Sequence, residues 1–236
     1  MGQSNEKELI SGIFLRRYKR FFADFKLSDG SELTAHCPNP GRMTSCAEEG
    51  WISMLSKSSN PKRKLPCTWE MIHNGKSWIG VNTGRANQIV ADALHDGRIP
   101  ELKLYQHVRR EVRVFDSRID FCLEDSNLSK KCYLEVKSVS YLKDGDYFFP
   151  DAVTARGKKH LETLSLLVKQ GHRSVIFFVV QRSDGQDFRI AEHIDPAYAE
   201  AMKAAVRTGV EIMAWQCSVR PGLIFLEKRI SVPEYD

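Results

Sequence analysis

An uninterrupted apolar run from Val175 to Val180 constrains the fold of this chain more than any other segment. A strand with one face in water alternates apolar and polar residues, whereas a strand covered on both faces is apolar throughout. Segment 173–181 is therefore predicted to be a central strand between two layers. Helices are predicted before and after it, at 152–170 and 195–208, so the pattern favours a mixed α/β sheet.

The other elements of the C-terminal part follow from periodicity and from turn residues. Residues 85–96 carry apolar side chains at helical spacing, and Gly97 ends the predicted helix. Asp151 is the expected N-cap of the helix at 152–170, and residues 141–150 are expected to form a loop. Strands are predicted at 102–108, 111–115, 118–123, 132–140, 210–218 and 223–228.

The N-terminal part has a different pattern, in which short strands alternate with turn signals. Between Ile10 and Trp78, the pairs Asp29-Gly30 and Asn74-Gly75 mark hairpin turns. Several short strands within about 70 residues are typical of a small barrel such as the OB-fold. The sequence therefore predicts two domains, residues 1–80 and residues 81–236.

Basic and aromatic residues are concentrated in this predicted barrel. Barrels of this kind bind nucleic acid with aromatic platforms and a basic groove. The platform candidates are Tyr18, Phe22 and Trp51. The candidate nucleic-acid-binding residues are Arg16, Tyr18, Lys19, Arg20, Arg42, Lys62, Arg63 and Lys64. The alternative is that the rings belong to the core and the charges are solvated. The net charge of +5 permits a polyanionic partner without requiring one.

Two neighbouring strand segments carry the candidate catalytic residues. Asp120 lies in the first segment, and Glu135 and Lys137 lie two residues apart in the second, on the same side of a strand. A hairpin would place Asp120 beside Glu135, and a divalent cation would relieve the repulsion between the two carboxylates. Oxygen ligands suit Mg²⁺, and Lys137 could orient an attacking water. The alternative interpretation is a solvated strand face.

The helix predicted at 152–170 has polar residues on its apolar face. Gly157 and His160 fall inside that face, and Arg156 lies on its edge. Buried polar groups cost free energy without partners, and the two carboxylates or a bound phosphate would supply them. The alternative for His160 is a core histidine bonded to a backbone carbonyl.

Six segments are long enough to indicate a family. They are RYKRF (17–21), HCPNPGRM (36–43), VNT (81–83), SRIDF (117–121), YLEVKSV (133–139) and FPDAVTARGKKHL (149–161). Together they resemble the sugar fermentation stimulation protein (SfsA) family over nearly the whole chain. The resemblance implies an OB-like N-terminal domain and a mixed-sheet α/β C-terminal domain of restriction-endonuclease-like type, as in the PD-(D/E)XK nucleases. It also implies DNA binding with little sequence preference and a link to sugar, especially maltose, metabolism.

The resemblance assigns roles to individual residues. Asp120 and Glu135-Val136-Lys137 match the metal-binding acid and the E-x-K strand of the nuclease pattern, and Arg156 and His160 match polar residues of the next helix. Asp92 falls where a helix glutamate is usual. Pro40 departs from the family pattern, in which threonine is usual after the asparagine. The implied metal ligands for Mg²⁺ or Mn²⁺ are Asp120, Glu135, the Val136 carbonyl and Asp92. The implied catalytic residues are Asp120, Glu135, Lys137, Arg156 and His160.

Three functional hypotheses follow from these residues. The first is a DNA-binding protein with a metal-dependent phosphodiesterase site, acting on single- or double-stranded DNA. The second is a DNA-binding regulator whose nuclease-like site is not catalytic. The third is a phosphodiesterase for RNA or a small nucleotide. The polar residues 2–6 and the short apolar runs favour a cytoplasmic protein without membrane contact. Nothing in the sequence indicates an oligomeric state.

Overall fold

The computed structural model describes residues 8–235, in which three β-sheets and three α-helices pack together. The strands are β1 (Leu9–Tyr18), β2 (Phe22–Lys26), β3 (Glu32–His36), β4 (Ile52–Lys57), β5 (Cys67–His73), β6 (Trp78–Gly80), β7 (His107–Val114), β8 (Ser117–Glu124), β9 (Cys132–Val139), β10 (Tyr141–Lys143), β11 (Asp146–Phe149), β12 (Arg173–Val180), β13 (Phe188–Ile190), β14 (Glu211–Arg220) and β15 (Leu223–Arg229). The α-helices are α1 (Ala86–His95), α2 (Ala155–Lys169) and α3 (Pro196–Thr208). Among residues 8–235, no helix is both long and apolar enough to cross a bilayer.

The N-terminal strands form a closed barrel, as the sequence predicted. Their order is β3-β2-β1-β4-β5-β6, and an added pairing between β3 and β5 closes the circle of β1 to β5. Aromatic rings fill the interior: Phe14 stacks on Trp69 at 4.8 Å, and Phe25 meets Trp69 edge-on at 5.3 Å. The burial of these large rings stabilises the barrel, because a small domain has only a small hydrophobic core.

The C-terminal part is a mixed sheet with helices on both faces, which confirms the predicted α/β class. The strand order is β15-β14-β12-β9-β8-β7, with β12 parallel to both of its neighbours. Helix α1 packs on one face of the sheet, while α2 and α3 pack on the other. Strand β12 is buried throughout Ser174 to Val180, because each face lies under a helical layer.

Three local predictions were wrong. Residues 100–102 form a short 3-10 helix, and one strand, β7, replaces the two strands predicted between 102 and 115. Strand β7 is a sheet edge exposed along most of its length, so its sequence lacks a clear alternation. Residues 141–150 are not a loop but contain β10 and β11, which pair with each other, and β11 also pairs with β13.

The N-cap of α2 is Thr154, whose side chain accepts a hydrogen bond from the Gly157 amide, and not Asp151 as predicted. Asp151 instead accepts a hydrogen bond from the backbone amide of Met43, in a barrel loop, at 3.3 Å. A contact with a residue distant in sequence therefore replaces the local capping contact.

A buried arginine joins the barrel to the C-terminal sheet. The Arg182 side chain is 1% exposed and donates to the carbonyl oxygens of Ser140 at 2.6 Å and Ser45 at 3.2 Å. Asp184 neutralises it through two contacts of 2.7 Å, and Asn74 donates to the same carboxylate. Ser45 and Asn74 belong to the barrel half, so this network holds the two halves in one arrangement.

The division of the chain at residues 80 and 81 stays a prediction. Strand β6 pairs with β5 of the barrel, yet the Gly80 amide donates to the Gln181 carbonyl at the end of β12, at 2.7 Å. A Cβ atom at position 80 would lie 2.6 Å from Gln181 Oε1 and 3.0 Å from Gln181 Cβ, so a larger residue here would displace the Gln181 side chain.

A buried carboxylate fixes the start of α1 against the barrel. Glu70 is 4% exposed and accepts hydrogen bonds from Arg85 Nε and Nη2 at 2.9 Å, from Ser56 at 2.6 Å and from Asn82 at 2.9 Å. Burial alone would raise the pKa of Glu70, but the bonds from Arg85 and Ser56 outweigh it and hold the pKa below 4.5. The ionised form is therefore the one that the fold favours.

Glu70→Gln is expected to be less stable than the wild type at neutral pH, by about 1.5–3 kcal/mol, because charge-assisted hydrogen bonds are lost. Since the folded-state pKa of Glu70 is lowered, the stabilisation is present above about pH 4.5 and is lost as the pH falls through the folded-state value. Urea unfolding of both proteins at pH 7 and at pH 3.5–4.5 would measure this. An equal difference in unfolding free energy at every pH would contradict it.

Candidate active site

Strands β8 and β9 separate at the position of Asp120. They pair from Phe121↔Leu134 to Leu123↔Cys132. Beyond that point, the Val136 amide donates to Asp120 Oδ2 at 2.8 Å. The carboxylate thus satisfies a backbone donor that an antiparallel ladder would otherwise use, and a gap opens between the two strands.

Strand β8 also changes faces at Asp120. Ile119 packs into the core under α2 and α3, whereas Phe121 packs into the core under α1. In a regularly alternating strand, these two residues would share one face. Glu111 of β7 lies opposite Asp120 in the register and has a φ of 55°, an unusual value for a residue other than glycine. This backbone irregularity coincides with the change of face, so β8 cannot be read as a regular strand here.

Glu135 is the most deeply buried acid of the site, with 2% exposure. Its Oε1 atom accepts hydrogen bonds from Lys137 Nζ at 2.6 Å and from His160 Nδ1. Its Oε2 atom is buried and has no hydrogen-bond partner among residues 8–235. A buried carboxylate oxygen without a partner is costly, so this atom is suited to a ligand that the protein itself does not supply.

The pKa values of the two carboxyl groups are shifted in opposite directions. Burial and the neighbouring charge of Glu135 raise the pKa of Asp120, although the Val136 amide and Asn87 partly compensate. Burial would also raise the pKa of Glu135, but the hydrogen bond from His160 and the charge of Lys137 lower it overall. A cation placed between the carboxylates would favour the ionised form of both.

Helix α2 supplies His160 and Arg156, as the sequence predicted. His160 is 5% exposed, and Arg156 Nε lies 3.4 Å from His160 Nε2. Because Nε2 accepts from Arg156, we assign the ring hydrogen to Nδ1, which donates to Glu135. His160 therefore bonds to side chains of this site. The alternative, a core histidine bonded to a backbone carbonyl, was wrong.

The structure corrects one assignment, that of Asp92. Asp92 is exposed and accepts a hydrogen bond from Gln88 at 2.8 Å. Asn87 reaches the site instead, and its Nδ2 atom donates to Asp120 Oδ1 at 2.7 Å. The step of five residues from Asn87 to Asp92 turns a helix by about 140° beyond a full turn, so the two side chains leave α1 in different directions. The sequence prediction did not include Asn87, because only an acid was expected as a metal ligand from this helix.

The barrel candidates do not all lie together. Arg16, Tyr18, Lys19, Arg20 and Arg42 line a cavity of about 450 Å³ at the end of β1. Trp51, by contrast, packs against the barrel core, as the alternative interpretation held. The remaining candidates, Lys62, Arg63 and Lys64, lie exposed in the loop before β5.

A basic residue that sequence reasoning did not single out, Arg17, organises the loop that faces the C-terminal sheet. It donates to the carbonyl oxygens of Asn39 at 2.7 Å and Gly41 at 2.8 Å. A Cβ atom at position 41 would lie 2.0 Å from the carboxylate of Asp151, so the loop packs directly on the C-terminal part. In the sequence, the turn-rich segment 38–43 is the feature that indicates a loop at this position.

The donors at the site fit a hard cation better than a soft one. Within the described residues, no three His, Cys, Asp or Glu side chains are grouped as a metal centre. The site offers two carboxylates, Asp120 and Glu135, with the orphaned Glu135 Oε2 as the free donor. Mg²⁺ and Mn²⁺ accept few protein oxygens and keep several waters, so this set suits them.

Comparisons with known proteins agree along the chain. The SfsA N-terminal OB domain matches residues 15–81, and the sugar fermentation stimulation protein RE domain matches residues 84–222. A sugar fermentation stimulation protein homolog of Pseudoalteromonas atlantica is 52% identical over 94% of this chain and 96% of its own length. The homolog of Geobacter sulfurreducens is 45% identical over 96% of this chain and 97% of its own.

A solved structure shows the same architecture. Pyrococcus furiosus SfsA, solved in complex with Ca²⁺, superposes with a TM-score of 0.88 at 25% identity, covering 99% of this chain and 98% of that protein. The barrel, the mixed sheet and the order of their elements are thus shared along the full length. This chain belongs to the sugar fermentation stimulation protein (SfsA) family.

Proposed function

We propose that this protein binds DNA and that Asp120, Glu135 and Lys137 form a divalent-metal site that hydrolyses phosphodiester bonds. The observation that carries the proposal is the buried Glu135, whose Oε1 is held by Lys137 and His160 while Oε2 has no partner in the described chain. The Ca²⁺ complex of Pyrococcus furiosus SfsA supports a hard-cation site in the family.

Each residue of the site has a distinct role in this proposal. Asp120, Glu135 and the Val136 carbonyl would hold Mg²⁺ or Mn²⁺, which when bound acidifies a water and polarises a phosphoryl oxygen. Lys137 would orient the attacking water and stabilise the charge that develops on the phosphate. Arg156 lies exposed at the mouth of the site, where its guanidinium could hold a phosphate of the strand.

DNA binding is proposed from the charge of the barrel. Arg16, Lys19, Arg20 and Arg42 surround one cavity, and guanidinium and ammonium groups are the usual contacts to phosphates. Such contacts read no sequence, which agrees with the expected lack of sequence preference. Through DNA binding the protein would act on sugar metabolism, in line with the name of the family. Maltose metabolism is the particular branch that we propose, from the resemblance described above.

One observation favours the second candidate function, a DNA-binding regulator without turnover. Helix α1 presents an amide, Asn87, to Asp120, and the described residues contain no group of three metal-binding side chains. A site with two acids binds a cation less tightly than one with three.

Incubation of the purified protein with single- and double-stranded DNA in Mg²⁺ or Mn²⁺ tests the first function against the second. Metal-dependent cleavage supports hydrolysis. Binding that persists in EDTA, with no cleavage in either metal, supports the regulator. Competition by RNA and by small nucleotides separates the third candidate, a phosphodiesterase for those substrates.

Asn87→Ala is expected to weaken Mn²⁺ binding by about 10- to 100-fold, because the hydrogen bond that orients Asp120 is lost. Titration calorimetry with Mn²⁺ measures the effect. The matched control is Gln88→Ala, one residue along the same helix, where the side chain is exposed and contacts Asp92 and Arg110. Equal Mn²⁺ affinity in the two variants would contradict a role for Asn87.

A further inference from the structure

Four rings, in two stacked pairs, lie side by side at the ends of strands β1, β2 and β3 of the barrel. Tyr18 of β1 pairs with Phe22 of β2, and Phe22 pairs with His36 of β3, so the three side chains share one face of the sheet. The Tyr18 and Phe22 rings stack with centroids 5.6 Å apart, and Phe21 stacks on His36 at 6.4 Å. We call Tyr18, Phe21, Phe22 and His36 the aromatic row.

The aromatic row lies on the outside of the barrel. In the described part of the chain, the barrel core contains Phe14, Phe25 and Trp69 and does not include the four rings of the row. Phe21 is 43% exposed, and the other three rings are partly exposed. Rings that stack on each other in partial contact with water offer π-faces to a ligand.

Cations flank the aromatic row. The Arg16 guanidinium lies 5.4 Å from the centre of the Tyr18 ring. At the other end, Arg63 donates to the Thr68 hydroxyl at 3.1 Å, and Thr68 is the residue of β5 that pairs with His36. The Arg16 charge is shared with Asp24, which it contacts at 2.9 Å, so a polyanion that lies along the row meets positive charge mainly at the Arg63 end.

The turn between β1 and β2, beside the row, contains two basic residues with strained backbone conformations. Lys19 and Arg20 have φ values of 46° and 65°, in the left-handed region that favours asparagine and glycine. Strained positions of this kind are concentrated at functional sites, where the side chain matters more than stability. The strain therefore points to a role for these two side chains in binding.

The loop that follows the aromatic row contacts the C-terminal part. His36 is followed by the loop 38–43, whose Pro38 carbonyl accepts a hydrogen bond from Thr83 at 2.8 Å. A small cavity beside this loop is lined by Asn39, Thr83 and Ser138. Ser138 directly follows Lys137 in β9, so the two side chains point to opposite faces of the sheet and the cavity lies on the other face from Lys137.

We propose that the aromatic row stacks the unpaired bases of single-stranded DNA, so that a single strand, and not a duplex, is the ligand class that the barrel binds. This inference rests on the proposed DNA binding. In a duplex the bases stack on each other and present only their edges, whereas unpaired bases can stack on aromatic rings. The flanking cations hold the phosphates between the stacked bases.

Fluorescence anisotropy of the full chain in EDTA, without turnover, tests the proposal with three labelled probes: a 20-mer of thymidine, the same phosphodeoxyribose 20-mer without bases, and a 20-base-pair duplex. The thymidine 20-mer is expected to bind at least tenfold more tightly than the other two. Phe21→Ala and Phe22→Leu are each expected to weaken its binding by about 5- to 100-fold, and to leave binding of the abasic probe unchanged. Phe225→Ala, on the distant edge strand β15, is the matched control.

Equal affinity for the thymidine and abasic probes, or a preference for the duplex, would overturn the proposal, because phosphate contacts alone would then explain the binding. Circular dichroism melting of each variant separates misfolding from lost stacking, and unchanged binding of the abasic probe does so independently. Since these measurements exclude metal, they succeed or fail separately from the cleavage assay.

Discussion

Glu135→Gln is expected to lower Mn²⁺-dependent cleavage of DNA by about 10³-fold, the upper range for removal of one electrostatic group from an active site. The substitution keeps the shape of the side chain but removes the charge that Lys137 and His160 surround. In the variant, an uncharged amide oxygen or nitrogen replaces Oε2. Either atom is a poorer ligand for a hard cation than a carboxylate oxygen. Cleavage of a labelled oligonucleotide under single-turnover conditions measures the loss.

The matched control is Glu124→Gln, which changes an acid on strand β8 that pairs with Lys131 and Arg109 outside the site. This variant is expected to cleave at the wild-type rate. Binding of DNA in EDTA is expected to be the same for both variants and the wild type. Equal cleavage by Glu135→Gln and the wild type would exclude the proposed site and point to a contaminating nuclease.

Arg182→Met is expected to destabilise the protein by about 3–5 kcal/mol, the usual cost of removing one partner of a buried ion pair. The Asp184 carboxylate would keep only Asn74 as its side-chain donor in the network described above, and the carbonyls of Ser45 and Ser140 would lose a common donor. For a chain of this size, the melting temperature is expected to fall by about 6–20 °C. Differential scanning calorimetry measures it.

A surface pair provides the control for this prediction. Arg189 contacts Asp146 at 2.5 Å, but its side chain is 48% exposed, so Arg189→Met is expected to leave the melting temperature nearly unchanged. Adding Asp184→Asn to Arg182→Met is expected to recover part of the stability, since the uncompensated charge is then removed. Equal melting temperatures for the two arginine variants would show that Arg182 does not join the two halves as described.

Much of the architecture could be predicted from local patterns. The apolar run from Val175 to Val180 predicted the central strand, because a segment without polar residues must be covered on both faces. The spacing of Glu135 and Lys137 predicted that both point to one side of a strand, and their side chains do meet at 2.6 Å. The periodicity of α2 likewise placed His160 on the buried face, where it lies.

Other features depend on which segments become neighbours, and local patterns carry no information about that. Asn87 rather than Asp92 reaches Asp120, because the direction of a helix side chain is decided by how α1 docks on the sheet. The change of face in β8 and the alignment of Tyr18, Phe22 and His36 arise from strand register and backbone irregularities. Periodicity within one element reports burial, whereas contacts across elements follow from packing, and the candidate site and the aromatic row are built from such contacts.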